Sequence, residues 1–292
     1  MGINTTGEAL KGFLLFCGFT CALLAASPEF ERAQKLYSYT DYDRSLKVLQ
    51  AIPSKGAEVN ALMGRNYYMQ GDYKRACDSL EKAVAADPGN SDYALWLARA
   101  YGRRAETANP FTAPVHASRA RQYFEKAVQL NSGNLEALSD LCDYYLEAPG
   151  FLGGGMEKAE ATAERITRIS PGEGYAAHAR IAEKRKEYSS AEEQLRRAID
   201  AAPQQLGRFI DLARFLNKQG RYQEADQSLA RAEKIAPNSP RLLYLKADLY
   251  IDSGRNLREA RALLQRYMSL ALTPDDPPRS EAARLLKKVQ GS

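Results

Sequence analysis

The sequence predicts an all-α protein, a right-handed α-solenoid in which about seven antiparallel helix pairs stack side by side and a capping helix closes the row. Two observations support this prediction. A unit of 34 residues, 57–90, recurs along the chain with small residues, aromatic residues and proline in constant places. Each unit reads as two short helices that cannot bury their apolar faces alone, so neighbouring units must stack around one continuous core.

The first 26 residues differ in composition from the repeats. Lys11 is followed by an uncharged run, FLLFCGFTCALLAA, that spans residues 13–26. Its 14 residues fit the core of a signal peptide and fall short of the roughly 20 that cross a bilayer. We expect cleavage after Leu24-Ala25-Ala26 and a mature chain that begins near Ser27. The alternative is an uncleaved anchor that starts a few residues earlier.

The repeats begin after this leader and share one spacing. In residues 57–90, small, apolar or turn residues stand at the expected positions, namely Gly64, Tyr67, Gly71, Tyr73, Ala76, Leu80, Ala83 and Pro88. The unit resembles a tetratricopeptide repeat. Residues 206–239 repeat the spacing, and with further copies the resemblance covers residues 27–275. With the leader and the closing residues, the predicted organisation is a signal peptide or hydrophobic anchor (1–26), a solenoid (27–275) and a capping helix (276–292).

The repeated residue types have physical roles. Small residues at the eighth and twentieth positions of a unit let its two helices approach closely, and proline ends the second helix because its ring clashes with continuation. Ala225 is therefore expected at a helix contact, and Tyr222 between helices. After Pro277-Pro278, Ser280 is expected to cap a closing helix. The apolar face predicted for that helix consists of Ala283, Leu286 and Val289.

Two copies are longer than the repeat, and such departures in solenoids usually form loops on one face. The third copy holds about ten extra residues at 106–115, where two prolines and Asn109 predict an ordered excursion rather than a longer helix. The fourth holds a glycine-rich segment at 148–155. A phosphate-binding loop would need Lys and then Ser or Thr where Met156 and Glu157 stand, and a preceding strand. We therefore interpret this segment as a turn.

Composition and charge exclude several classes of function. With 45% hydrophobic and 26% charged residues, the chain is typical of a folded globular protein. Its 41 basic and 36 acidic residues are interleaved, which is unlike a nucleic-acid-binding surface. The presence of only two histidines argues against a histidine-rich metal centre and a His-dependent triad. Cys77 and Cys142 are expected to be buried fillers rather than a disulfide. We predict no enzyme activity, no cofactor and no metal.

The candidate binding surface follows from the resemblance. In this family the first helix of each unit lines a concave groove, and its second, fifth, ninth, twelfth and thirteenth positions face that groove. The ninth positions here are Arg65, Arg99, Asp143, Arg180, Arg214 and Asp248. The arginines form two neighbouring pairs that suit acidic side chains or a peptide carboxylate. The predicted partner-binding residues are Arg65, Tyr68, Arg99, Arg103, Arg180, Arg214 and Lys218. The alternative is that the arginines pair with Asp or Glu on adjacent helices and hold the stack together.

These observations favour an exported, periplasmic scaffold of a bacterial envelope that binds a protein or peptide without catalysis. They predict no nucleic-acid partner, and membrane contact only through an uncleaved leader. One alternative is a cell-envelope assembly factor that its leader tethers to the inner membrane. Another is a hydrolase or transferase within the solenoid, which the scarcity of histidine disfavours.

Overall fold

The computed structural model describes residues 27–289, where it contains fifteen α-helices and no β-strand. Fourteen of these helices form seven consecutive antiparallel pairs, and the last follows them. The pairs are α1 (Pro28–Ser38) with α2 (Tyr42–Ala51), α3 (Ala57–Met69) with α4 (Tyr73–Ala86), α5 (Ser91–Thr107) with α6 (Ala113–Leu130), α7 (Leu135–Glu147) with α8 (Met156–Ile169), α9 (Pro171–Lys184) with α10 (Tyr188–Ala201), α11 (Leu206–Lys218) with α12 (Tyr222–Ile235), and α13 (Pro240–Asp252) with α14 (Leu257–Ser269). Helix α15 (Arg279–Val289) closes the row. The predicted all-α solenoid of stacked pairs is confirmed.

Small residues bring the two helices of each pair together. From α3 onward, the eighth position of each unit is buried and small, namely Gly64, Ala98, Cys142, Ala179, Ala213 and Ala247. A Cβ on Gly64 would lie 2.4 Å from Leu80 Cγ in α4, so a larger residue would force movement. The twentieth position is alanine without exposed surface in Ala76, Ala191 and Ala225. Ala120, Ala159 and Ala260 occupy the matching places in the second helices of the longer units and are equally buried. Tyr222, which was expected between helices, is 40% exposed instead.

The turn inside a pair contains a residue with positive φ in six of the seven pairs. Gly71, Gly220 and Gly254 have φ of 79°, 74° and 65°, values that glycine adopts without the steric penalty that a Cβ imposes. Lys186 and Thr40 occupy equivalent turns with φ of 63° and 58°. Asn256, before α14, has φ of 50°. The chain therefore accepts a left-handed backbone in residues other than glycine at these three turns.

The insertion in the third pair lengthens its helices. Helix α5 has 17 residues and α6 has 18, and only residues 108–112 lie between them. Pro114 falls in the first turn of α6, where its missing N–H has no intrahelical partner to lose, so it does not interrupt the helix. Asn109 Oδ1 accepts hydrogen bonds from the backbone N–H groups of Phe111 and Thr112 at 3.0 and 3.1 Å, which closes the short turn. The expectation of an excursion rather than longer helices is therefore wrong.

The glycine-rich segment after α7 is a turn, as predicted. Residues 150–152 form a short 3-10 turn. The backbone N–H groups of Gly153, Gly154 and Gly155 donate to carbonyl oxygens of this segment and of α7 at 2.8–3.2 Å. A Cβ on Gly154 would lie 1.8 Å from the carbonyl oxygen of Ala148, so this close approach requires glycine. Because these N–H groups already donate to carbonyl oxygens of the chain, they do not form a phosphate-binding loop.

The closing helix packs with a face next to the one predicted. Helix α15 begins at Arg279, so Ser280 lies inside it rather than at its cap. Its buried residues are Ala282, Leu285 and Val289. Ala283 and Leu286, predicted on this face, are only half-buried. The predicted and observed sets have similar helical spacing, and spacing alone does not decide between two adjacent faces of a helix.

The two ends of the solenoid meet. Arg279 Nη1 donates a hydrogen bond to Thr40 Oγ1 of the first pair at 2.9 Å, and its Nη2 donates to the Leu270 carbonyl oxygen at 2.7 Å. Residues of α3 and α5 border the same cavity as residues of α11 and α13. The first helices of the pairs therefore face one another across a central groove.

The hydrophobic run at residues 13–26, with Cys17 and Cys21, lies outside the described residues. Within residues 27–289, none of the helices is both long enough and apolar enough to cross a bilayer. Cleavage near Ser27 stays a prediction.

Candidate partner-binding groove

Ion pairs between neighbouring first helices run along the groove. Arg99 on α5 donates hydrogen bonds to Asp140 and Glu136 on α7, at 2.5 and 3.0 Å. Arg180 on α9 donates to Asp143 on α7 at 2.7 Å. Helix α7 thus contributes the carboxylates and its two neighbours contribute the cations, which links three consecutive units.

Arg65 and Lys218 follow the same pattern. Arg65 pairs with Asp92 on α5, and Lys218 Nζ lies 3.0 Å from a carboxylate oxygen of Glu183 on α9. These contacts match the alternative interpretation, in which the cations hold the stack together. Since all four side chains are partly exposed, each pair contributes about 1 kcal/mol or less to the free energy of unfolding.

Arg103 and Arg214 differ from these cations. Arg103 pairs with Glu106 of its own helix, and its Nε and Nη2 donate to Tyr73 Oη on α4 at 3.2 and 3.1 Å. Arg214 on α11 is exposed and forms no ion pair within residues 27–289. Among the four arginines at the ninth position of a unit, Arg214 alone lacks a carboxylate partner in that range.

An aromatic and cationic cluster lies at the N-terminal side of the groove. The guanidinium carbons of Arg65 and Arg99 lie 5.1 and 5.2 Å from the centroid of the Trp96 ring, within cation–π range. The Tyr68 ring meets Trp96 edge-on at 5.4 Å between centroids. Burial raises the pKa of Tyr68, so its hydroxyl stays protonated and available as a donor. Trp96 is half-buried among these neighbours and packs within the stack.

Two adjacent cavities open into the groove. The first encloses about 560 Å³ where the ends of the solenoid meet, and Tyr68, Arg103 and Arg214 border it. The second encloses about 500 Å³ and shares Tyr68 and Arg103 with the first, with Arg99 in addition. Tyr68 and Arg103 therefore lie between the two cavities.

Arg180 and Lys218 lie apart from these two cavities. They border a third, of about 470 Å³, together with the carboxylates that pair with them. Arg65 borders none of the three. The structure thus brings Tyr68, Arg103 and Arg214 to one cavity, and it places Arg180 and Arg214 at different ones.

Comparison with known proteins agrees with the repeat geometry. Family models described as tetratricopeptide repeat match residues 57–90, 182–249 and 216–289. The chain is similar to the solved structure of a tetratricopeptide repeat protein from Parabacteroides merdae, with a TM-score of 0.57 and 15% identity over 89% of this chain and 97% of that one. The chain is a tetratricopeptide repeat protein.

A second solved structure similar to this tetratricopeptide repeat protein is a thermophilic protein of the same kind from Thermus thermophilus, with a TM-score of 0.51 and 19% identity over 68% of this chain and 96% of that one. No curated protein matches the sequence. At this level of identity the two structures show the fold alone. Tetratricopeptide repeats in general act as non-catalytic scaffolds that bind protein partners.

The two described cysteines of this tetratricopeptide repeat protein are buried, and His178 lies near a carboxylate. Burial raises the pKa of the Cys77 and Cys142 thiols to about 11, so both stay protonated, and both are free rather than in a disulfide. His178 Nε2 lies 3.6 Å from a Glu164 carboxylate oxygen. Across residues 27–289, no three side chains of His, Cys, Asp or Glu are grouped as metal ligands.

Two residues of the first cavity were missed by sequence reasoning. Arg241 and Tyr244 of α13 border this cavity together with Arg214. They are the second and fifth residues of their unit, positions that face the groove in tetratricopeptide repeats, so the register contained the signal. The repeat pattern does not predict the curvature of the solenoid, and this curvature places α13 opposite α3.

Proposed function

We propose that this tetratricopeptide repeat protein is a non-catalytic scaffold that holds a peptide or protein partner in its concave groove, where Arg214 contacts a carboxylate of the partner. The observation that supports this proposal is the exposed guanidinium of Arg214 in the first cavity, without an ion pair inside residues 27–289. A guanidinium presents parallel N–H donors that match a carboxylate, which makes arginine suited to a side-chain or C-terminal carboxylate.

Two further arginines lie near Arg214, in a cavity that carboxylates also border. Arg103 and Arg241 border the same cavity, and Arg241 likewise forms no ion pair within the described range. Glu281 accepts a hydrogen bond from Tyr244 Oη at 3.3 Å. Four carboxylates border the cavity, namely Asp248, Asp275, Asp276 and Glu281. A carboxylate of the partner that reaches Arg214 would also lie near guanidinium groups from two other units. Lys218 and the remaining arginines of the groove would line the path of the partner on either side.

Arg214→Glu is expected to weaken partner binding at least tenfold without lowering Tm. A hydrogen bond to a charged group contributes about 1.5–3 kcal/mol, and tenfold in Kd corresponds to about 1.4 kcal/mol. The reversed charge also adds repulsion, so the loss should shrink at high salt. Capture from a bacterial envelope extract identifies the partner, and titration calorimetry with the purified partner then gives Kd for each variant.

Arg180→Glu is the matched control, because it makes the same change at the same position of the preceding unit. It places a carboxylate beside Asp143 and should lower Tm by a few degrees, since about 1 kcal/mol shifts Tm by roughly 2–4 °C in a domain of this size. An unchanged Kd for Arg214→Glu would contradict the proposed contact. Turnover of a saccharide by the purified chain, without any stable partner, would instead favour a hydrolase or transferase.

We further propose that the scaffold works in a bacterial periplasm after removal of residues 1–26. The support is the uncharged run at 13–26, whose length suits the core of a signal peptide. Intact-mass measurement of the chain from a periplasmic fraction should show an N-terminus near Ser27. A full-length species that resists carbonate extraction would identify an anchor, and the scaffold would then be an envelope assembly factor tethered to the inner membrane.

A further inference from the structure

An apolar crevice opens into the groove between α5 and α7. This crevice is the second cavity described above, with α6 behind it and the turn after α7 at its end. Its inner walls consist of Gly102, Ala105, Phe124, Tyr144 and Leu152. At about 500 Å³ it has room for a phenylalanine or leucine side chain.

The walls of the crevice are held in place by contacts of their own. Tyr144 Oη donates a hydrogen bond to the Leu152 carbonyl oxygen at 2.9 Å, which fixes the turn against α7. The rings of Tyr144 and Phe124 lie 6.3 Å apart between centroids. Leu152 belongs to the glycine-rich turn, and Ala105 to the extended end of α5. The extra residues of the third and fourth units therefore form part of the crevice wall, and the regular units lack these residues.

Gly102 leaves the floor of the crevice open. A Cβ built on this residue meets no heavy atom within 4 Å. Gly102 is the twelfth residue of its unit, and the equivalent residues are larger, namely Tyr68, Leu146, Glu183, Asn217 and Ile251. Glycine inside a helix costs about 0.5–1 kcal/mol relative to alanine, so the open space comes at the expense of helix stability.

The mouth of the crevice has more carboxylates than cations. Arg99 is shared by Asp140 and Glu136, and Asp143 is paired with Arg180 from the far side. Burial, together with the neighbouring carboxylates, raises the pKa of Asp140 and Asp143. The arginines therefore do not fully compensate these carboxylates, and a further cation at the mouth would favour their ionised form.

We propose that this crevice binds a large apolar side chain of the partner peptide, with a lysine or arginine of the same peptide beside Asp140. The proposal rests on the proposed function, since it adds a second contact in the groove that holds the partner. Tyr68 and Arg103 border both the crevice and the cavity at Arg214, so one extended peptide reaches both. The partner segment thus combines an apolar residue, an adjacent cation and a nearby carboxylate.

The test uses the full-length chain and a positional-scanning library of fluorescein-labelled octapeptides, with binding read by fluorescence anisotropy. The parent chain is expected to select Phe, Leu, Ile, Met or Trp next to Lys or Arg. Gly102→Leu fills the crevice and should weaken binding of the selected peptide at least tenfold. Ala105→Leu fills it from the next turn of α5 and should do the same.

Ala230→Leu is the matched control, because it makes the same change as Ala105→Leu outside the groove. Ala230 is exposed on the second helix α12 and borders neither the crevice nor the first cavity. Its Kd for the selected peptide should equal that of the parent. Glu106→Lys adds a positive charge at the exposed rim and should reduce the preference for Lys or Arg while the apolar preference remains. Thermal melts verify that each variant is folded.

The outcomes separate this proposal from the function on which it rests. Equal affinities of folded Gly102→Leu and Ala230→Leu would overturn the crevice proposal, as would selection of Asp or Glu beside the apolar residue. Peptides that are weakened by Arg214→Glu but not by Gly102→Leu would leave the groove function standing without the crevice. If the parent binds none of the peptides, both proposals fail.

Discussion

Ala225 lies on α12 with no exposed surface, at the twentieth position of its unit. Ala225→Leu puts an isobutyl group where a methyl group fits and should lower the free energy of unfolding by about 1–3 kcal/mol, because overpacking displaces neighbouring side chains or backbone. A urea titration followed by circular dichroism measures the change. A midpoint equal to that of the parent would contradict the placement of Ala225 at a helix contact.

Tyr222, three residues earlier on the same helix, provides a comparison with Ala225. It is 40% exposed, and the guanidinium carbon of Arg255 lies 4.6 Å from its ring centroid. An exposed cation–π contact contributes about 0.5–1 kcal/mol, so Tyr222→Ala should cost less than Ala225→Leu in the same titration. If Tyr222→Ala proves the more destabilising of the two, the ring is buried more deeply than its position indicates.

The repeat spacing predicts the small residues better than the aromatic ones. A position such as Ala225 is fixed by the distance between two helices of one pair, which every unit shares. Tyr188 and Tyr222 begin the second helices of successive units and are 45% and 40% exposed. How far such a ring is covered depends on the side chains that the next unit offers, and these differ between units.

The turn between α9 and α10 is strained. Lys186 has φ of 63° there, where the equivalent Gly220 has 74°. The left-handed conformation costs a residue with a Cβ about 1–2 kcal/mol, while glycine loses about 0.5–1 kcal/mol more in conformational freedom on folding. Lys186→Gly should therefore raise the free energy of unfolding by about 0.5–1 kcal/mol, as measured by guanidinium titration.

Gly220→Lys makes the reverse change in the next pair and should lower the free energy of unfolding by a similar amount. A stabilising effect of this substitution would show that the turn tolerates a Cβ, and the argument from φ would fail for both positions.

Helix boundaries could be predicted where the repeats are regular and not where they are extended. In the regular units, proline after the second helix and a turn residue between the helices mark both ends. In the third pair, Pro110 and Pro114 suggest an interruption, yet they fall in the turn and in the first turn of α6. Both sites are compatible with proline, and the extra residues extend two helices that already pack together.

For the molecule as a whole, the number of pairs and the row of first helices follow from the period. That Arg214 has no ion pair within residues 27–289 does not follow from it. Arg180 and Arg214 are equivalent residues of consecutive units. The ninth residue of the unit before Arg180 is Asp143, which pairs with it. The ninth residue before Arg214 is Arg180, a like charge. Predicting that Arg214 has no ion pair therefore requires the order of charges along the stack of units. Predicting the crevice requires the curvature of the solenoid.

The hydrogen bond between Arg279 and Thr40 joins residues 239 apart in sequence, while no other side-chain hydrogen bond within residues 27–289 spans more than 43. Folding in a row of repeats spreads from neighbour to neighbour, and such a row can fray from either end. The contact between the ends has the largest loop-closure entropy of all these bonds, so it forms after the stack is complete. Once formed, it gives each terminal unit a second neighbour, and fraying at either end must first break it.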